Sequence, residues 1–87
     1  MYNLLYSFYT IKMIKPGIYR HFKGGEYKVL GVAKHSENLE DLVVYIHFGE
    51  DSFGRKDGLW VRPLAMFSEE VEKDGKKIPR FRFVREE

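Results

Sequence analysis

A chain of 87 residues allows one domain around one modest core. Its hydrophobic fraction of 44% and aromatic fraction of 16% exclude an intrinsically disordered segment. It has no cysteine, which excludes a disulfide scaffold or a thiolate metal site and suits a reducing cytoplasm, the expected location. No run of about 20 apolar residues is present to form a membrane-spanning helix.

The net charge is +2, unevenly spread. Residues 1–34 carry six Lys and Arg against one acid, residues 35–54 five acids and no Lys or Arg, and residues 55–87 nine bases against seven acids. Blocks of this kind usually pair across a folded body. The sharper reading is a basic face for an anionic partner.

Residues 1–12 are apolar and Tyr-rich, with no basic segment and no small-residue cleavage site, so they do not read as a signal peptide. Met13 stands just before Ile14-Lys15-Pro16-Gly17. The expectation is an N-terminal extension over 1–12 and one domain over 13–87.

Alternation of Ile18, Arg20 and Phe22 with Tyr19, His21 and Lys23 predicts a strand over 17–23, closed by a turn at Lys23-Gly24-Gly25-Glu26. Residues 26–35 read as a longer strand, with Tyr27, Val29 and Ala33 on one face and Leu30 and Val32 on the other. Gly31 at its middle predicts a bulge or bend. Residues 36–41 are polar and too short for a helix. Residues 42–48 form the clearest strand, rich in β-branched and aromatic side chains, with Leu42, Val44, Ile46 and Phe48 expected inward. Residues 49–58 read as a loop.

Residues 59–62 are a short strand ended by Pro63, which lacks an amide for the ladder. Leu64-Ala65-Met66-Phe67 fits one helical turn with Pro63 at its first position. Asp74-Gly75 centres a hairpin. A two-residue turn there sets Val71 opposite Ile78, Glu72 opposite Lys77 and Glu69 opposite Arg80. The closing strand alternates Arg80 and Arg82 with Phe81 and Phe83. About five short strands with one helical turn fit an all-β fold, a small, strongly bent antiparallel barrel of the SH3-like kind, with an open meander as the alternative.

Several stretches carry a resemblance when taken in order. They are Tyr19-Arg20-His21-Phe22-Lys23-Gly24, Tyr27-Lys28-Val29-Leu30-Gly31-Val32-Ala33, His35-Ser36-Glu37 and Val43-Val44-Tyr45. Leu59-Trp60-Val61-Arg62-Pro63 with Met66-Phe67, and Pro79-Arg80-Phe81, complete the set. Together they resemble the small, mostly bacterial proteins of domain of unknown function 1653, over about residues 16–83. The resemblance implies a compact β domain and carries over no activity. The chain departs from that pattern at Asn38, where the family usually has Thr, and in a longer connection over 49–58.

The candidate site residues are Tyr19, His21, His35, Glu37, Tyr45, Trp60 and Arg62. Tyr19 and His21 share a strand face, as do Trp60 and Arg62, and Tyr45 and His47. If these faces meet, they make an aromatic floor edged by an Arg and a carboxylate, able to stack a base, hold a peptide or clamp a small anion. The competing and favoured account has them packing the core or its rim. His35-Ser36-Glu37 is no triad, since neighbours on a strand point to opposite faces and no nucleophile elbow surrounds Ser36. A local turn with Ser36 as its cap explains it better. His21, His35 and His47 lack metal-ligand spacing, although His35 with Glu37 forms an i, i+2 pair. Gly24-Gly25 lacks the rest of a phosphate loop. Arg80, Arg82 and Arg85 could meet phosphates, but a closing strand with one solvated face looks the same.

The function expected from the residues is a non-catalytic binding module for a protein, peptide or nucleic-acid partner. The second reading is a domain for a small, nucleotide-like anion, and an enzyme comes third. No cofactor, metal or membrane association is implied, and the oligomeric state is left open.

Overall fold

A computed structural model describes residues 14–48 and 58–87. The expected extension over 1–12 and nearly all of the predicted loop lie outside the described residues. The strands are β1 (Gly17–His21), β2 (Glu26–Lys34), β3 (Asp41–Phe48), β4 (Trp60–Pro63), β5 (Glu70–Lys73), β6 (Lys76–Pro79) and β7 (Phe81–Arg85). A single helical turn, α1 (Leu64–Phe67), follows β4 directly. Pro63 is its N-cap rather than its first residue, with ψ of 138° before the chain turns.

The fold is all-β and antiparallel. Five strands form one sheet in the order β4-β3-β2-β1-β7, and β5 pairs with β6 in a separate hairpin. Among the described residues no ladder joins β4 to β7, so the sheet stays open at both edges and the expected closed barrel is not formed. Two irregularities interrupt its register. Leu30 is an extra residue between Val29, opposite Tyr45, and Gly31, opposite Val44. Val84 is skipped between Phe83, opposite Tyr19, and Arg85, opposite Ile18. The first is the bulge that Gly31 signals, because a glycine leaves the backbone free to bend there.

The β5–β6 hairpin has the anticipated register: Val71 faces Ile78 and Glu72 faces Lys77. Asp74 and Gly75 both take positive φ, 54° and 78°, as a two-residue hairpin turn demands. The Arg80 amide donates to the Glu69 carbonyl at 2.9 Å, and the two side chains form an ion pair at 2.9 Å.

The core lies on one face of the large sheet and under α1. Tyr19, Val29, Val43, Tyr45, Leu64, Phe67 and Phe81 form it, with Ile14, Tyr27 and Phe83 packed against it. This reverses the expected orientation of β3. Val43 and Tyr45 are buried, while Leu42, Val44, Ile46 and Phe48 are only partly covered. Both faces of β3 are apolar, so alternation alone does not choose between them. Phe67 of α1 and Phe81 of β7 cover the odd-numbered face and decide it. The strand expected over 17–23 stops at His21, where the chain turns: Gly24 N–H donates to the His21 carbonyl at 2.7 Å.

The charge blocks pair less than expected. Among the described residues, Lys34–Asp41 at 2.7 Å joins the basic first block to the acidic second. Arg20–Glu26, Arg80–Glu69 and Arg85–Glu87 are pairs within a block.

Candidate functional site

The ladders bring most of the candidate residues to one face. Tyr45 lies opposite Trp60 and Val43 opposite Arg62. Tyr27 lies opposite both His47 and Tyr19, and His21 opposite Phe81. Partners in an antiparallel ladder point to the same side, so Tyr19, His21, Tyr45, Trp60 and Arg62 share one aromatic face with Tyr27, His47, Phe81 and Phe83. The three strand faces therefore do meet, and the face they form is part of the core and its rim.

That face grades from core to surface. Tyr19 and Tyr45 are buried, with Phe67 edge-on to Tyr19 at 5.4 Å. Burial raises the Tyr19 hydroxyl's pKa, and the hydroxyl donates to the Lys15 carbonyl at 2.8 Å. Tyr27 connects this core to the rim, with its ring 5.4 Å from Tyr45 and 4.8 Å from His47. His47 meets Trp60 edge-to-face at 5.5 Å. Trp60 itself is 42% exposed, too open for a core indole.

Trp60 and Arg62 share a face but have different surroundings. The Arg62 guanidinium lies 5.3 Å from the centre of the Phe81 ring, a cation–π contact, and its Nε is buried without a hydrogen-bond partner. Arg62 is a lid on Phe81, while Trp60, on the same face, is partly open to solvent at the sheet's edge.

His35 and Glu37 do not join this face. They sit in the β2–β3 turn, beyond the Lys34–Asp41 end of the ladder, whereas Tyr27 and His47 lie one pair from its Glu26–Phe48 end. Seven residues of strand separate the Lys34 and Tyr27 pairs, about 23 Å. In that turn His35 Nδ1 accepts the Glu37 amide at 3.1 Å, and Asn38 Oδ1 accepts the Glu40 amide at 2.9 Å. Ser36 Oγ donates to the Glu37 carboxylate at 3.2 Å. The side-chain caps are thus His35 and Asn38, rather than Ser36, because their acceptors reach the amide two residues on.

His21 repeats this device at the β1–β2 turn, its Nδ1 accepting the Lys23 amide at 3.1 Å. Its pKa is lowered, first by burial and then by the nearby charges of Arg62, Arg80 and Lys23. The neutral ring keeps Nδ1 available as the acceptor. Tyr27, His47, Phe81 and Phe83 are the members of the aromatic face that the candidate set lacked. Their signal was the cross-strand register, which a single strand's alternation does not reveal. Among the described residues there is no group of three or more His, Cys, Asp or Glu able to hold a metal ion. No helix among them is long and apolar enough to cross a membrane.

On the outer edge of the sheet, β4 pairs only with β3 among the described residues. Leu59, Trp60 and Val61 are exposed there at 69%, 42% and 56%, with Met66 of α1 also exposed nearby in sequence. This makes an apolar edge of consecutive residues without a charge.

No curated protein matches the chain. A crystal structure of a DUF1653 protein from Bordetella bronchiseptica is similar in sequence and fold, with 32% identity and a TM-score of 0.73. The match covers 87% of this chain and 94% of that one. The family described as protein of unknown function (DUF1653) matches residues 17–83, from the first residue of β1 to the middle of β7, and the chain belongs to it.

Proposed function

We propose that the protein is a non-catalytic binding module that takes an extended segment of another protein along β4. The observation carrying this reading is that β4 pairs with no second strand among the described residues and leaves Leu59, Trp60 and Val61 exposed. Edge strands are normally blunted by charge, proline or cover, since unpaired amides and carbonyls invite another strand. Here the exposed part is apolar on both faces, and Pro63 ends it. An added strand would satisfy the edge's main-chain groups and lay its side chains against Trp60 on one side and Leu59 and Val61 on the other. The order of the large sheet, with the long β2 near its centre, suits an SH3-like body for such a module. The cysteine-free sequence suits action in the cytoplasm.

The test replaces Leu59 with a photo-cross-linking residue and maps the captured segment. A synthetic peptide of that segment should change the fluorescence of Trp60, the chain's one tryptophan, and slow amide exchange in β4. A peptide that protects no β4 amide overturns the proposal. So does a concentration-dependent homodimer that alone protects β4, because the occupant would then be a second copy.

A further inference from the structure

A separate cleft lies on the far side of β1, between the β1–β2 turn and the β5–β6 hairpin, with a volume of about 520 Å³. Its walls include four cationic side chains, Arg20, Lys23, Lys73 and Arg82, and no carboxylate residue. Arg20 and Arg82 stand directly opposite each other in the β1–β7 ladder. Like charges in that position repel and weaken a sheet, so the fold has no structural gain from the pair. Arg20 is tied to Glu26 at 2.6 Å. Arg82, Lys23 and Lys73 have no acidic partner among the described residues, while Arg80, on the same hairpin-to-strand passage, is paired with Glu69. Positive charge is therefore left on three of the cleft's four cations among the described residues, Arg20 being paired with Glu26. It also reaches inward, where Lys23 is one of the charges that lower the His21 pKa.

The same walls carry apolar surface. Phe22 and Ile78 line the cleft beside the cations. Its volume falls within the range of small-molecule sites, about 300–1,000 Å³.

We infer that this cleft binds a nucleoside di- or triphosphate, its phosphates on Arg20, Arg82, Lys23 and Lys73 and its base against Phe22 and Ile78. Guanidinium groups meet phosphate oxygens through paired N–H donors, and ammonium groups add point charge. Arg20 and Arg82 face each other on β1 and β7 while Lys23 and Lys73 come from the turn and β5, so a chain of two or more phosphates can engage all four. A nucleic-acid strand fits less well. Its backbone requires a basic stripe, whereas here the cations are gathered in one cleft and the chain's net charge is only +2.

The test titrates the full chain with ATP, ADP and pyrophosphate at low salt, following amide shifts by NMR. ATP and ADP should bind saturably, with shifts at residues 20–24 and 78–82, and pyrophosphate should compete with them. The double variant Lys73→Gln/Arg82→Gln should weaken ATP by about tenfold or more, corresponding to about 1.4 kcal/mol. Both side chains belong to exposed residues, so its melting temperature should stay near that of the parent. The control Lys76→Gln/Lys77→Gln removes two charges outside the cleft and should leave ATP binding intact. Four results overturn the proposal: no saturable nucleotide binding, equal weakening by both double variants, pyrophosphate binding as tightly as ATP, or binding confined to oligonucleotides. A folding defect in the double variant is bypassed by Phe22→Ala, which should weaken ATP while sparing pyrophosphate.

Discussion

Phe67 of α1 lies flat on Phe81 of β7, with ring centres 4.1 Å apart and planes within 1°. Fourteen residues apart in sequence, the two fasten the helical turn to the edge strand that closes the chain. Both are buried, and Phe67 also meets Tyr19 edge-on. Phe67→Ala should cost about 3–5 kcal/mol, the usual loss for a buried phenylalanine. Phe67→Leu should cost clearly less. Urea unfolding of the two variants checks the order, and a near-neutral Phe67→Ala would mean that α1 does not cover the core.

Gly17 and Gly31 make opposite predictions. Gly17 has φ of +147°, and a Cβ there would sit 2.7 Å from both the Arg85 carbonyl oxygen and the Phe83 ring. Gly17→Ala should therefore destabilise by more than about 1 kcal/mol, adding steric overlap to backbone strain. Gly31, beside the bulge, has open space where a Cβ would stand. Gly31→Ala should stay within about 0.5 kcal/mol of the parent. Equal unfolding midpoints for the two variants would contradict the β1–β7 packing.

His21 gives stability a pH dependence of known sign. Its folded pKa lies below the ordinary 6.5, so between those two values the unfolded chain binds the additional proton. The contribution is fully present above pH 6.5 and is lost as pH falls through that window toward the folded pKa. His21→Asn keeps a side-chain oxygen as acceptor for the Lys23 amide but does not titrate. Melts from neutral to mildly acidic pH should show a shallower fall for His21→Asn than for the parent. Parallel curves would remove His21 as the cause.

Much of this fold is legible in the sequence wherever a turn or a bulge has its own chemistry. Asp74-Gly75 specifies the β5–β6 register, and Gly31 marks the bulge in β2. The orientation of β3 was not legible, because Val44 and Ile46 are as apolar as Val43 and Tyr45. Only the long-range arrival of Phe67 and Phe81 distinguishes its faces. The candidate site divides in the same way. The i, i+2 pairs on β1, β3 and β4 each place two residues on one strand face, but that these faces coincide follows only from the cross-strand register, and His35 and Glu37, grouped with them by residue type, lie in the β2–β3 turn. The cationic cleft was invisible because its four basic residues come from β1, its turn, β5 and β7. Three-dimensional proximity, with no shared motif, unites them.

Trp60 decides whether the β4 edge is a surface for a partner or an incomplete part of the core. The measurement is a paired one on Trp60→Ala: its unfolding free energy, and its binding to the peptide captured through position 59. At 42% exposure, with His47 edge-on at 5.5 Å, the indole should contribute less than about 2 kcal/mol to folding. The expected result is a folded variant that has lost the peptide. A loss of about 3–5 kcal/mol, as for a buried tryptophan, or a stable variant that binds the peptide as the parent does, would contradict it.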